Sequence, residues 1–246
     1  MMSTVSTHPT RAVLLDALGT VVGFAPPAPA LRDALATRGV DVTLGDSGRA
    51  VKAEIGYYRA HLHRARDAAS LADLRAECAD VVRDALPATA ALPAEELTAA
   101  VLEAFRFVAF PEVEAELIAL RDAGIPLVVC SNWDVSLHDV LRDVGLAPYF
   151  AGVITSAELG VSKPDPAPFA AALAVVGDVA PAEALHVGDS LDEDVAGARA
   201  AGVPAVFVDR DGAAGAAAPG ALDGVLVLPS LAGLAAHVLR ARTDEP

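Results

Sequence analysis

Short runs of consecutive apolar residues, each ending at a polar residue or a turn signal, recur along the chain. The first lies in segment 11–22 (RAVLLDALGTVV), where the apolar run ends at Asp16 and a Gly-Thr turn follows. Comparable runs occupy Pro126–Cys130, Ala151–Thr155, Ala184–Val187, Ala205–Val208 and Gly224–Leu228. Stretches with helical character separate them, and wholly apolar strands that alternate with helices are typical of a parallel sheet covered on both faces. The pattern predicts an α/β fold with a Rossmann-like parallel sheet.

Between the first and second predicted strands the pattern becomes helical, with no convincing strand from about residue 28 to residue 106. Prolines mark the borders of this segment, in Gly23–Pro27 and at Phe110-Pro111. The predicted helices are Pro29–Thr37, Ser47–Arg66, Ser70–Leu86 and Pro93–Phe105. We therefore predict an α/β core over residues 11–23 and 111–241 and an inserted α-helical cap domain over residues 24–110.

Composition narrows the possible partners. The net charge is -15, and only two of the 18 basic residues are lysines, which argues against nucleic acid and anionic membranes as partners. The first ten residues lack a secretory signal and no long apolar run follows, so we expect a cytoplasmic protein. Cys78 and Cys130 are too few for a disulfide scaffold or a zinc site, and we expect both to be reduced. No motif indicates an oligomer.

Polar residues follow several of the predicted strands. Asp16 ends the first, Ser131 and Asn132 follow the second, Lys163 follows the third and Asp189 follows the fourth. In parallel α/β sheets ligands collect at the carboxyl ends of the strands. The set combines carboxylates, a hydroxyl and an ammonium group, which together suit Mg²⁺ and a phosphate group.

Phosphoryl transfer would explain the need for each of these residue types, because its catalysis consists mainly of positioning the groups and neutralising negative charge. A carboxylate can approach a phosphate dianion only if a cation is shared between them. Asp16 and Asp189 would supply carboxylates for Mg²⁺. Ser131, Asn132 and Lys163 would bind the substrate, with Ser131 and Lys163 holding its phosphate oxygens. Asp16 would attack the phosphorus and form an aspartyl-phosphate, which divides one difficult step into two.

Four motifs occur in order: LLDALGT (14–20), VVCSN (128–132), SKPDPAPF (162–169) and HVGDSLDEDVAGARAAG (186–202). They resemble motifs I to IV of the haloacid dehalogenase-like (HAD) hydrolase superfamily, in subfamily I, whose helical C1 cap follows the first motif. The resemblance covers nearly the whole chain. It implies a Mg²⁺-dependent hydrolase of a small phosphorylated metabolite, with Asp16 as nucleophile, Ser131 and Lys163 on phosphate, and Asp189 with Asp194 organising Mg²⁺.

One position departs from the phosphatases of this family. The residue two after the nucleophile is usually Asp, which serves as general acid and then as base, but here it is Leu18. By resemblance, the metal site keeps its ligand, since the family uses the backbone carbonyl at this position. General acid-base catalysis contributes about 10²- to 10⁴-fold in rate, so we expect slow hydrolysis of unactivated phosphate esters.

Three alternatives stay open. A 2-haloacid dehalogenase also uses a nucleophilic Asp without the second acid, and it dispenses with metal. A phosphonatase-like enzyme would form a Schiff base on a cap lysine, here Lys52. A non-catalytic member would bind a phosphorylated ligand or a protein partner without turnover.

Two charged clusters have structural interpretations. Arg59, His63 and Arg66 would share one face of a cap helix, and we interpret them as a solvated face. Ser190 and Glu193 fit a helix capping box, which we favour over a catalytic role for Glu193.

Overall fold

The computed structural model describes residues 9–243. Of the N-terminal segment that we interpret as lacking a secretory signal, residues 1–8 lie outside the described residues. The strands are β1 Ala12–Leu15, β2 Val22–Phe24, β3 Phe107–Ala109, β4 Leu127–Ser131, β5 Gly152–Thr155, β6 Ala184–Gly188, β7 Ala205–Val208 and β8 Leu226–Leu228. The helices are α1 Pro27–Ala36, α2 Leu44–His61, α3 Ala68–Ala85, α4 Ala94–Ala104, α5 Val113–Asp122, α6 Leu137–Asp143, α7 Ser156–Leu159, α8 Ala167–Val176, α9 Gly197–Ala200 and α10 Leu234–Thr243.

The chain divides into two compact units. The first comprises the chain up to residue 23, residues 109–133 and the chain from residue 137 onward, and the second comprises residues 24–108 and 134–136. Most of the first unit is built on the sheet, and most of the second is helical.

Six strands of the first unit form one sheet in the order β5-β4-β1-β6-β7-β8, and every adjacent pair is parallel. The predicted α/β fold with a Rossmann-like parallel sheet is confirmed. The chain fills one side of β1 with β4 and β5 before it returns to place β6 on the other side. This change of direction puts the switch point of the sheet beside β1, where the carboxyl ends of strands open a crevice.

The strands of the sheet centre are fully buried because helices cover them. One apolar cluster joins Leu14 and Val128 of the strands to Phe169 of α8 and Ala198 of α9. Full burial of a large aliphatic or aromatic side chain contributes roughly 1.5–3 kcal/mol. The sheet centre is therefore a rigid base for the residues that follow its strands.

The second unit packs four helices around its own core, α1 against α2 and α4, and α3 against α2 and α4. The helices α2 and α3 begin at Leu44 and Ala68, because Thr43 and Asp67 cap them through their side chains. The predicted helix to Arg66 is wrong at its end, since α2 stops at His61 and a short 3₁₀ turn follows over Leu62–Arg64.

This helix end changes the interpretation of the basic cluster. Arg59, His63 and Arg66 do not share one face of a helix, although all three are exposed as a solvated cluster would be. Arg64, which lies between them, instead forms a two-pronged ion pair with Glu77 of α3.

The short strands β2 and β3 pair with each other as a separate two-stranded sheet. Neither was predicted: Gly23 interrupts the apolar residues of Val22–Phe24, and Phe107–Ala109 adjoins the proline border of the helical segment at Pro111. Within residues 9–243, no helix has the length and apolar character needed to cross a bilayer.

Candidate active site

The candidate site lies at the carboxyl ends of β1, β4 and β6. Asp16 follows β1 directly and continues its ladder, since its backbone N–H donates to the carbonyl of Val187 in β6. Ser131 is the last residue of β4, and Asp189 follows the last residue of β6. Because β1 lies between β4 and β6, the sheet brings these three side chains to its switch point.

Two side chains orient the carboxylate of Asp16. The Ser131 hydroxyl donates to Oδ1 of Asp16 at 2.9 Å, and the Lys163 ammonium donates to the same oxygen at 2.7 Å. No donor from the described residues binds Oδ2 of Asp16, so that oxygen is available to a ligand. Burial raises the pKa of Asp16, and this effect outweighs the attraction of Lys163.

The ammonium of Lys163 lies between two buried carboxylates. Besides Asp16, its Nζ donates to Oδ1 of Asp194 at 2.5 Å, and the Lys163 residue is only 2% exposed. Burial alone would lower the pKa of Lys163, but the charges of Asp16 and Asp194 outweigh it and hold that pKa above its ordinary value. Lys163 is therefore a fixed positive charge beside Asp16.

Asn132 holds the backbone of Lys163 in place. Its Nδ2 donates to the Lys163 carbonyl at 2.9 Å, and its Oδ1 accepts from the Lys163 N–H at 2.8 Å. The backbone N–H of Glu193 donates to the Ser190 hydroxyl at 3.1 Å. The predicted capping interaction is thus present on the Ser190 side.

Asp189 completes a group of three carboxylates. One oxygen each from Asp16, Asp189 and Asp194 lies within 4.8 Å of the others. Although Asp189 is exposed as a residue, partial desolvation of its carboxyl group and then the charges of Asp16 and Asp194 raise its pKa to about 7. The close approach depends on Gly19, since a Cβ there would lie 1.9 Å from Oδ2 of Asp189.

The donor set fits a divalent cation. Lys163 offers one positive charge against three carboxylates, so two negative charges are left uncompensated when all are ionised. Oxygen ligands of this kind are those that Mg²⁺ takes in proteins.

Leu18 follows Asp16 by two residues and offers no titratable group. It is half-buried, in the turn where the backbone N–H groups of residues 20–22 bond to the carbonyl of Ala17. The structure thus brings together Asp16, Ser131, Asn132, Lys163, Asp189 and Asp194, and Leu18 lies in the turn after Asp16.

Sequence reasoning missed two residues. His186 lies fully buried in β6 and contacts Asp194. Arg210, after β7, binds the carbonyls of Gly19 and Thr20. Only position could have indicated them: His186 opens the fourth motif, and Arg210 follows a strand of the predicted sheet.

Comparison with known proteins decides the family. The family model described as haloacid dehalogenase-like hydrolase matches residues 10–202, well over half of the chain. The chain belongs to the haloacid dehalogenase-like hydrolase family.

A curated relative of this HAD-like hydrolase is described as a phosphatase. A phosphoserine phosphatase from Thermus thermophilus is 44% identical over 134 residues, which cover 53% of either chain. The chain therefore matches about half the length of this curated relative.

Solved structures match more completely. A HAD phosphatase from Thermococcus onnurineus is 25% identical with a TM-score of 0.62, covering 93% of this chain and 98% of that one. A 2-haloacid dehalogenase from Pseudomonas syringae pv. Tomato is 27% identical with the same TM-score, covering 94% and 98%. Structural similarity thus does not distinguish a phosphatase from a dehalogenase, and the distinction depends on the residues of the candidate site.

Proposed function

We propose that this HAD-like hydrolase is a Mg²⁺-dependent phosphohydrolase that acts on a small phosphorylated metabolite through an aspartyl-phosphate on Asp16. The grouping of three carboxylates with one buried ammonium carries the proposal. It gives an anionic nucleophile a neighbouring cation site, as transfer of a phosphate dianion requires. The phosphatase relatives from Thermus and Thermococcus support the same reaction class.

In this proposal, Asp16, Asp189, Asp194 and the backbone carbonyl of Leu18 would hold Mg²⁺. Bound Mg²⁺ would neutralise charge on the phosphate oxygens and on the attacking carboxylate. The chain provides the remaining functions. Lys163 donates to Oδ1 of Asp16 and keeps one N–H for a phosphate oxygen, while the Ser131 hydroxyl turns its one hydrogen from Oδ1 to a phosphate oxygen when substrate binds. Oδ2 is left to attack.

The reaction then proceeds in two balanced steps. Oδ2 of Asp16 forms a bond to phosphorus while the bond from phosphorus to the leaving oxygen breaks. Water then attacks the phosphorus of the aspartyl-phosphate, which releases inorganic phosphate and restores the Asp16 carboxylate. The leaving oxygen takes its proton from water, since Leu18 has none to donate.

The first experiment measures phosphate release from a panel of phosphate monoesters and acyl phosphates, with Mg²⁺ and with EDTA. We expect metal-dependent turnover in the wild type and loss of at least about 10³-fold in Asp16→Asn, because the amide is a poor nucleophile. Asp192→Asn is the matched control, since Asp192 is an exposed carboxylate of the same motif. Turnover that survives in Asp16→Asn, or that EDTA leaves unchanged, would contradict the proposal.

Leu18 sets the range of leaving groups. We expect the wild type to prefer acyl and aryl phosphates, whose leaving groups need no proton. Leu18→Asp should raise kcat for alkyl phosphates by about 10²-fold or more, because it restores a general acid. Leu18→Asn is the control, with similar size and no acidic proton. Equal rates in the two variants would show that another group already protonates the leaving oxygen.

A second candidate function is 2-haloacid dehalogenation. Leu18 favours it, since this reaction needs no acid two residues after the nucleophile, and the Pseudomonas dehalogenase shares the fold at 27% identity. The test is chloride release from 2-chloropropionate in EDTA. Release without metal, together with no phosphate release from the panel, would replace the phosphohydrolase proposal.

A further inference from the structure

A histidine lies inside the hydrophobic centre of the sheet. His186 is the middle residue of β6 and has no exposed surface. Its neighbours in register are Leu14 on β1 and Ala205 on β7, and the ring of Phe169 meets its ring edge-on at 4.9 Å between centroids. Such a position ordinarily holds an apolar residue, because a buried polar ring is costly unless its nitrogens are paired.

Only one nitrogen of His186 is paired. Nε2 lies 2.8 Å from Oδ1 of Asp194, whereas Nδ1 is buried without a partner. Since a carboxylate oxygen accepts and does not donate, Nε2 carries a hydrogen in this contact, and Nδ1 is left without a partner. Buried unpaired groups are rare in native proteins, and each calls for an explanation.

The bond to Asp194 supplies that explanation. Asp194 receives three donors: Nε2 of His186 and Nζ of Lys163 at Oδ1, and the backbone N–H of Ser190 at Oδ2. Its carboxyl group also lies against Gly188, where a Cβ would come within 2.1 Å of Cγ. The carboxylate can thus take one orientation, and His186 approaches it from within the sheet.

We propose that His186 is a positioning residue that fixes the carboxylate of Asp194, and through it the ammonium of Lys163 beside Asp16. Hydrogen bonds then run without a break from His186 through Asp194 and Lys163 to Asp16 and Ser131. This inference deepens the proposed function and rests on it for the reaction that the chain of bonds serves.

The unpaired Nδ1 makes the proposal testable against a purely structural role. His186→Phe keeps a ring beside Phe169 and removes both the Nε2 donor and the unpaired Nδ1. Asp194 loses one of its three donors, and this cost opposes the gain from removing the unpaired Nδ1, so we expect a folded protein with a thermal midpoint close to that of the wild type, while kcat falls about 10- to 100-fold and KM changes less than about threefold. His186→Gln keeps an N–H donor and should recover part of the lost kcat.

A double-mutant cycle with Asp194→Asn identifies the path of the effect. If His186 acts through Asp194, His186→Phe should have little further effect on kcat in the Asp194→Asn background. Leu185→Ala, in the same strand, is the control for a core change without a bond to Asp194, and kcat should survive it. An unchanged kcat in His186→Phe, or full additivity with Asp194→Asn, would overturn the proposal.

A spectroscopic readout keeps the inference separate from the proposed function. In ¹⁵N-histidine NMR of the wild type, His186 should show a slowly exchanging Nε2–H whose shift moves in Asp194→Asn. A ring with its hydrogen on Nδ1 would overturn the inference whatever the enzyme turns over. If the wild type shows the expected Nε2–H signal but releases no phosphate, the proposed function is contradicted and the inference about His186 is not.

Discussion

At the scale of single residues, buried charge dominates the candidate site. Lys163 is stabilised by Asp16 and Asp194 at 2.7 and 2.5 Å, in surroundings that are almost fully buried. Removing one partner of a buried pair leaves an uncompensated charge and costs about 3–5 kcal/mol. Variants of these residues therefore need a folding control before a lost activity is assigned to chemistry.

Glu54 of α2 is a second buried charge, in the helical unit. It is 6% exposed, and burial raises its pKa to about 7, against a weaker opposing effect of a hydrogen bond from Cys78. The folded pKa lies above the ordinary value of 4.5, so the folded state binds the proton more tightly than the unfolded state. Its contribution to stability is thus full below about pH 4.5 and is lost as the pH rises through 7.

We predict that Glu54→Gln removes this pH dependence. Between pH 5 and pH 8, the free energy of unfolding of Glu54→Gln should rise relative to the wild type by roughly 3 kcal/mol. Urea titrations at the two pH values measure the difference. The exposed Glu95→Gln should show no such trend. An equal pH dependence in Glu54→Gln and the wild type would show that Glu54 is not the titrating group.

At the scale of elements, one arginine holds the turn that follows β1. The guanidinium of Arg210 donates to the carbonyl of Gly19 at 2.8 Å, to the carbonyl of Thr20 at 2.9 Å and to Glu112 at 2.7 Å. It also lies 3.6 Å from the ring centre of Phe110. The turn is therefore fixed to the start of α5 and to the segment after β7.

We predict that Arg210→Met weakens metal binding. The turn carries the carbonyl of Leu18 and packs Gly19 against Asp189, so loosening it should raise the Mg²⁺ concentration for half-maximal activity by about tenfold. Arg83→Met is the matched control, because Arg83 also binds two backbone carbonyls but lies in the helical unit. Comparable Mg²⁺ requirements in the two variants would contradict this role of Arg210.

At the scale of the whole molecule, the sheet was predictable from the sequence because each of its strands is a largely apolar run, fully buried in β1, β4 and β6 and partly exposed in β5 and β8. Helix ends were predicted less well, since α2 and α3 begin at Leu44 and Ala68, three and two residues before the predicted starts. The strands β2 and β3 were not predicted, because each has only three residues and lies at a border of the helical segment.

The candidate site was likewise predictable only in part. The convergence of Asp16, Ser131 and Asp189 could be predicted because each follows a strand, and parallel strands end at one edge. The contact of Arg210 with Gly19 spans 191 positions and leaves no local pattern. His186 pairs with Asp194 because the segment after β6 turns back toward that strand. The hydrophobic periodicity of the sequence does not predict such a turn.

The unequal burial of the two lysines of the chain makes them a natural pair of chemical probes. Lys52 is exposed, whereas Lys163 is 2% exposed. An amine-acylating reagent should modify Lys52 promptly and Lys163 only when the core opens, at least about 100-fold more slowly. Peptide mass spectrometry measures both rates, and similar rates would contradict the burial of Lys163. The ratio of the two rates reports how often the candidate site opens, without any substrate or catalytic assay.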